Sequence, residues 1–288
     1  MNRIIDLQTA LLDLLHKLRD AEVRLIVGGG FGIYLKTDHV RRSGMRTLLE
    51  QWPEPRSTND LDLFLRPELL IESSKLKPLA RALSDLGYEA VPGAEKYQFA
   101  KPGPGGTDAG SVKIDILTGP QSRFQGTRVK ADARRVRPSP SVGIHAHPVT
   151  EALTLEESLL PIMLTGRLSS GEFWKSEIFL PHPYTFSMMK LFAFRDRVND
   201  PDKDFGSYHA LDLFTILATT TEAEWAYAHR LRDQYKDDPS VKEAGRLVLQ
   251  YFSTEEKTGM VRLMESPYYR SELQNEDFMS TLIEMFPL

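Results

Sequence analysis

Residues 60–65 read DLDLFL. A strand turns alternate side chains to opposite faces, so Asp60 and Asp62 share one face and Leu61 and Leu63 take the other. A third aspartate, Asp115, stands between Ile114 and Ile116 in VKIDIL, and the short apolar run VRLIV ends in Gly28, Gly29 and Gly30. If these strands are neighbours, three carboxylates meet beside a glycine turn. Like charges so close raise one another's pKa and repel when ionised. A divalent cation, Mg²⁺ or Mn²⁺, removes the conflict: Mg²⁺ is held by one or two carboxylates plus substrate phosphates. Two ions about 3.5–4 Å apart stabilise both the attacking and the leaving oxygen of a phosphoryl displacement. A turn without side chains lets backbone N–H groups approach an anion, and a following helix N-terminus adds a favourable dipole. Together these are the parts of a nucleoside triphosphate site.

The order VGGG, RSTNDLDLF, VKIDIL resembles the DNA polymerase β-like nucleotidyltransferase superfamily, which pairs a glycine turn with a D-x-D strand and a third strand carboxylate. Within it the chain is similar to the AbiEii-type nucleotidyltransferases, toxins of type IV toxin–antitoxin systems, whose R-x-T-x-D-h-D-h stretch (h apolar) matches residues 56–63. That branch carries a later lysine and acidic pattern on helices, matched by MMKLFAFRDR and DKDFGSYHALDLF. Position by position the resemblance implies nucleotide-binding roles for Lys190, Asp204 and Asp212, with His209 between them. It also implies that Lys190 balances triphosphate charge, with Arg56 and Thr58 as helpers near the phosphates. The implied catalytic set is Asp60, Asp62, Asp115 and Lys190, the three aspartates being the metal ligands and Asp115 the alternative base. The implied reaction is attack of an acceptor hydroxyl on the α-phosphate of an NTP, with release of pyrophosphate. The acceptor would be an RNA 3′ end (tRNA in particular) or a protein hydroxyl, and a toxin would have an antitoxin protein as partner. A small-molecule acceptor, as for aminoglycoside nucleotidyltransferases, is the related alternative. A non-catalytic nucleotide-binding or interaction module of the same fold is the alternative from another class.

The elements that must position these residues are legible in outline. Leucines at helical spacing mark an amphipathic helix over 3–20, and Val23–Val27 reads as a buried strand with a helix beginning near residue 31. The stretch 37–55, with Arg41, Arg42 and Arg46, reads as a surface insertion whose cations would contact RNA or simply face solvent. A helix is expected over 68–86, ended by Gly87, then paired strands YEAVP and KYQFAK, the turn-rich PGPGGTDAGS and the VKIDIL strand. Residues 120–148 are basic and rich in proline and serine, with no element assigned, and EIFLPHP reads as a last strand. Beyond Pro183, segments 184–197, 205–219, 222–235, 240–251 and 269–285 read helical. The expected fold class is therefore α+β: a nucleotidyltransferase-like mixed sheet with flanking helices over 1–182, holding metal and NTP, then a helical domain over 183–288 closing the nucleotide cleft.

Blander readings stand beside these. A lone D-x-D suits the solvated face of an edge strand. Gly28, Gly30 and then Ile33 break the spacing of a dinucleotide fingerprint. Lys190 suits a helix surface, and Asp204 suits a helix cap at Phe205, although eight residues from Asp204 to Asp212 would also let them share a helix face. His145 and His147 alternate as strand neighbours do, with no third ligand close in sequence. The chain has no cysteine and so no disulfide, thiolate metal site or cysteine nucleophile. A net charge of −4 gives no global basic field for nucleic acid, and 41% hydrophobic content supports a sizeable core. No stretch reaches the roughly 20 apolar residues that span a bilayer, so the expectation is a soluble protein without a membrane partner, and the absence of cysteine suits a reducing cytoplasm.

Overall fold

The leucine spacing near the N-terminus produces helix α1 (Arg3–Lys17), with Leu7, Leu11, Leu14 and Leu15 buried and the polar face outward. The computed structural model describes residues 3–54, 56, 58–94, 96–101, 111–138 and 142–288. Most of the expected PGPGGTDAGS turn, residues 102–110, lies outside the described residues. The elements that follow α1 are β1 (Ile26–Val27), α2 (Gly29–Ser43), β2 (Asp60–Leu65), α3 (Pro67–Ile71), α4 (Lys77–Asp85), β3 (Glu89–Ala90), β4 (Gln98–Lys101) and β5 (Val112–Thr118). Next come β6 (Lys130–Ala131), β7 (Val136–Arg137), β8 (His147–Pro148), β9 (Leu160–Arg167) and β10 (Phe173–Leu180). The helical remainder is α5 (Pro183–Arg197), α6 (Ser207–Ala218), α7 (Glu222–Tyr235), α8 (Pro239–Tyr251), α9 (Thr258–Met264) and α10 (Asn275–Met285). This is the expected α+β arrangement, a mixed sheet with flanking helices and a helical C-terminal region.

The chain divides into two compact units. The first comprises Met1–Gly32, Ser57–Thr150 and Leu159–Pro181, and the second Ile33–Arg56, Glu151–Ser158 and His182–Leu288. The last crossing, Pro181 to His182, falls where the texture of the sequence changes, and two shorter segments also belong to the second unit.

In the first unit the sheet order is β3-β4-β5-β2-β1-β10-β9, with β8 joining β5. β2 and β5 are parallel, as are β1 and β10 and also β5 and β8; the remaining pairs are antiparallel. Leu61, Leu63, Leu65, Ile114 and Ile116 are buried, whereas Asp60, Asp62 and Asp115 are partly exposed. Full burial of one such leucine contributes roughly 1.5–3 kcal/mol, so the parity of β2 and β5 is fixed by their apolar faces and the carboxylate face is left open.

The expected helix over 68–86 is split into α3, a 3₁₀ turn at Ser73–Leu76, and α4. Pro78 is the cause: it has no N–H for a continuous helix and is tolerated only in a first turn, which is where α4 places it. β9 was not expected, because Pro161 and Gly166 disguise a strand whose Ile162 and Leu164 are buried while Met163 and Thr165 are exposed. It pairs with β10 over eight residues at the sheet edge, the place where proline is tolerated.

The second unit is built on α5 and α6. Tyr184, Met188, Leu191, Phe194, Leu211, Phe214 and Leu217 pack with Phe252, which caps α8, and with Phe278 and Leu282 of α10. The stretch expected as a surface insertion contributes to this unit as well. Thr37, Val40 and Leu49 are buried, while Arg41, Arg42 and Arg46 make outward ion pairs with Glu54, Asp38 and Glu222. Lys36 is 1% exposed and holds both oxygens of Glu224 at 2.6 and 2.9 Å. Among the described residues no helix is long and apolar enough to cross a membrane.

Candidate active site

Gly28 closes β1 onto β2, its N–H donating to the Asp62 carbonyl at 2.8 Å, and its carbonyl then accepts the Gly32 N–H at 2.8 Å as α2 begins. A Cβ on Gly28 would meet the Phe64 ring at 2.5 Å. Gly29 has φ +59°, in the left-handed region, and a Cβ there would overlap the Asp62 carboxylate. Both glycines are therefore required sterically. Gly30 follows in the first turn of α2, partly exposed. The result is a carboxylate lying against the N-terminus of a 15-residue helix, whose dipole favours negative charge.

The register of β2 and β5 sets Asp62 opposite Asp115 and Asp60 opposite Lys113. Neighbouring strands run about 4.8 Å apart, and Asp60 precedes Asp62 by two residues, about 6.7 Å along the strand. All three carboxylates share the open face. On the far side of β5, Gln98 of β4 pairs with Asp115, and its Nε2 donates to Asp115 Oδ1 at 2.7 Å. Burial pushes the Asp115 carboxyl above its ordinary range; Gln98 pulls it back, and Asp60 adds to the rise.

The strands are thus neighbours, yet the three acids do not converge on one point. Among the described residues, no group of three or more His, Asp or Glu side chains is arranged to hold a metal ion by itself. Asp60 stands two residues along β2 from Asp62 while still raising the Asp115 pKa, and Gln98 occupies one oxygen of Asp115. The donor chemistry still suits Mg²⁺, which needs only one or two carboxylates when phosphate oxygens and water complete its shell. Asp62 and Asp115, facing each other across adjacent strands beside an anion-attracting helix end, meet that requirement.

The other candidates lie in the second unit. Lys190 does not sit on a helix surface: it is 6% exposed on α5 and donates to Asp212 Oδ2 of α6 at 2.7 Å. Arg56 grips the same carboxylate through Nε and Nη2 at 2.9 and 2.8 Å and stacks on the Tyr208 ring at 5.3 Å. Burial pushes the Asp212 carboxyl up, but the two cations outweigh it and hold the group well below the ordinary carboxylate range. The trio carries one net positive charge. His209 stands beside it with Nδ1 unpartnered; burial, then the Lys190 charge, lower its pKa to about 3, so it is neutral.

Asp204 is apart from this cluster. It is exposed, in a left-handed conformation (φ 50°) within the 3₁₀ turn Pro201–Gly206, and α6 starts only at Ser207 with Gly206 as its cap. It neither caps that helix nor shares a helical face with Asp212. Thr58 lies two residues before Asp60 in the segment entering β2.

Sequence reasoning missed Gln98, whose only signal was its place in the KYQFAK strand. It also missed the pairing of Lys36 with Glu224, which joins residues 188 positions apart. His147 lies on β8 opposite Leu117, on the face that carries Asp115.

No protein-family model matches the chain, and no curated protein matches it. Solved structures of slight likeness include two. One is a solution structure of the antibiotic-resistance factor ANT(2'')-Ia, 12% identical, covering 80% of this chain and 97% of that one at a TM-score of 0.34. The other is a crystal structure of an antigenic nucleotidyltransferase-like protein from Paracoccidioides brasiliensis, 15% identical, covering 80% and 89% at a TM-score of 0.36. Likeness at that level assigns neither a family nor an activity to this chain.

Proposed function

We propose that the chain is a metal-dependent nucleotidyltransferase whose chemical centre is the open face of β2 and β5. One observation carries this reading: the Asp62 carboxylate fills the space where Gly29 would bear a Cβ, at the N-terminus of α2 and opposite Asp115. A plain tight turn has no need of a glycine pressed against a carboxylate, and a solvated strand face has no need of a second acid in register.

Asp62 and Asp115, with Asp60 one repeat away, would hold Mg²⁺ or Mn²⁺, which when bound supplies charge neutralisation for phosphate oxygens. Backbone N–H groups at the start of α2, beside Gly28–Gly30, would bind phosphate oxygens of the NTP. The acceptor hydroxyl oxygen bonds to the α-phosphorus, the α–β bridging P–O bond breaks, and pyrophosphate leaves. As the alternative to holding the metal, Asp115 would receive the hydroxyl proton, a role that its place on the open face allows. Roles for Arg56, Thr58, Lys190, Asp204, His209 and Asp212 in holding the nucleotide rest on the family resemblance alone. The same resemblance supports an AbiEii-type toxin acting on an RNA 3′ end or a protein hydroxyl in the cytoplasm, with an antitoxin as partner.

The test is transfer of label from each α-labelled NTP to total RNA or protein with Mg²⁺, beside Asp60→Ala and Asp62→Ala. Transfer by the wild type and its loss in both variants is the expected result. No transfer, or equal transfer by the variants, overturns the reading. Label that appears only when aminoglycosides are added would move the acceptor to a small molecule.

A further inference from the structure

The basic stretch left without a role folds beside the carboxylate face. Between Asp115 and Glu151 the chain has six lysines and arginines and one acid, Asp132. That is a net +5 in a protein of formal charge −4, which leaves −9 on the rest. The stretch forms a hairpin, β6 paired with β7. Asp132 is consumed in shaping it: Oδ1 accepts the N–H groups of Arg134 and Arg135 at 2.9 and 3.0 Å, and Oδ2 takes Arg137 at 2.8 Å. Arg128, Lys130 and Arg134 are exposed, and among the described residues none of the three makes an ion pair.

A solvated charged face is the usual fate of such residues. Here the hairpin is fastened to the strand that carries Asp115. Val136 exchanges backbone hydrogen bonds with Ala146 at 2.7 and 3.1 Å, and His147 Nδ1 donates to the Arg134 carbonyl at 2.8 Å. His147 then pairs with Leu117 of β5, two residues beyond Asp115 and on the same face. Its ring lies 5.4 Å from that of Tyr97, and both are partly exposed. Contact by contact, the hairpin that bears the three exposed cations leads to His147, which meets the Tyr97 ring and pairs with the strand of Asp115. Cations that track a phosphodiester backbone, interleaved with rings on which bases stack, are the means of binding single-stranded nucleic acid.

We infer that the β6–β7 hairpin, with Tyr97 and His147, is a docking surface for single-stranded nucleic acid that brings a 3′-terminal hydroxyl to the Asp115 face. The delivery of the hydroxyl rests on the proposed nucleotidyl transfer; the binding does not. A polyanion is drawn to a local field even when the whole protein is acidic, because charges beyond about 8 Å are largely screened at physiological salt.

The experiment measures anisotropy of a 5′-labelled RNA of about 12 nucleotides, within the usual site size of such surfaces, with the intact protein and no NTP. The triple variant Arg128→Glu/Lys130→Glu/Arg134→Glu is set beside Lys236→Glu/Lys257→Glu/Arg270→Glu, an equal charge change in the second unit. Tyr97→Ala is the third variant, and DNA of the same sequence and the RNA duplex are further arms. The hairpin variant is expected to bind at least tenfold more weakly, its log K against log[salt] slope flatter by about 2, since each lost single-strand phosphate contact removes about 0.7. Tyr97→Ala weakens binding with the slope unchanged, and the control triple changes it less than twofold. Hairpin-dependent binding of both RNA and DNA supports the inference; no binding, preference for the duplex, or equal loss in the control triple overturns it. If the hairpin variant unfolds, Tyr97→Ala and the duplex arm still decide. Strand binding without label transfer would fell the proposed reaction and leave the docking surface standing; label transfer with binding indifferent to the hairpin would do the reverse.

Discussion

At the scale of single residues, Gly29 and Gln98 define what Asp62 and Asp115 can do. Gly29→Ala would place a methyl group in the Asp62 carboxylate and force a left-handed backbone on an L side chain, at a cost of about 1–3 kcal/mol. The expected outcome is a lower urea midpoint together with loss of label transfer; loss of neither would mean that the turn is not pressed on the acid. Gln98→Leu removes the hydrogen bond that offsets burial at Asp115. The carboxyl then ionises only at higher pH, so the acid limb of the pH–rate profile should move to higher pH while Gln98→Glu adds a charge and moves it further. The shared face of Asp60, Asp62 and Asp115 was legible because strand parity is written directly in DLDLFL and KIDIL. Gln98 was not, because its meaning depends on which strand lies beside β5, and no local pattern encodes that.

At the scale of elements, helix ends in the second unit depend on charge states. His182 is the N-cap of α5: Nδ1 accepts the Tyr184 N–H at 3.1 Å, and Nε2–H donates to the Glu224 carbonyl at 3.1 Å. This geometry requires the neutral ring, and burial lowers its pKa to about 4. A histidine whose folded pKa lies below its unfolded value contributes stability that is full above about 6.5 and falls as the pH drops toward 4, by up to about 1.4 kcal/mol per pH unit. Urea midpoints between pH 7 and 4.5 should therefore fall, and His182→Asn, which keeps a capping oxygen without a titrating ring, should flatten the decline. Lys36 and Glu224 form a second such device, the glutamate also closing the capping box of α7 with Thr221. Lys36→Met strands a buried carboxylate and should cost about 3–5 kcal/mol. Element types were mostly legible from periodicity, as in α1, α5 and α8. The split at Pro78 and the missed β9 show where a proline in a first turn, or an edge strand with proline and glycine, reads like something else.

At the scale of the whole molecule, ligand binding should be visible as stability. Mg²⁺ and NTP at about 100 times their dissociation constants would add about 2.7 kcal/mol to the folded state, and the melting temperature should rise accordingly. Asp62→Ala should abolish the rise; a rise that persists without both Asp60 and Asp62 would locate the nucleotide elsewhere. Composition made the presence of a core and a change of texture near residue 182 legible. It did not show that residues 33–56 and 151–158 belong to the second unit, because membership is set by burial of Leu49 and pairing of Lys36, not by their neighbours in sequence. The alternation of β2 has one more consequence. Its polar and apolar faces are locked together by a period of two, so one residue inserted between Asp60 and Asp62 would swing one of them into the leucine layer. Length change in this strand is tolerated only in pairs, and the reading frame of the fold and that of the chemistry are the same frame.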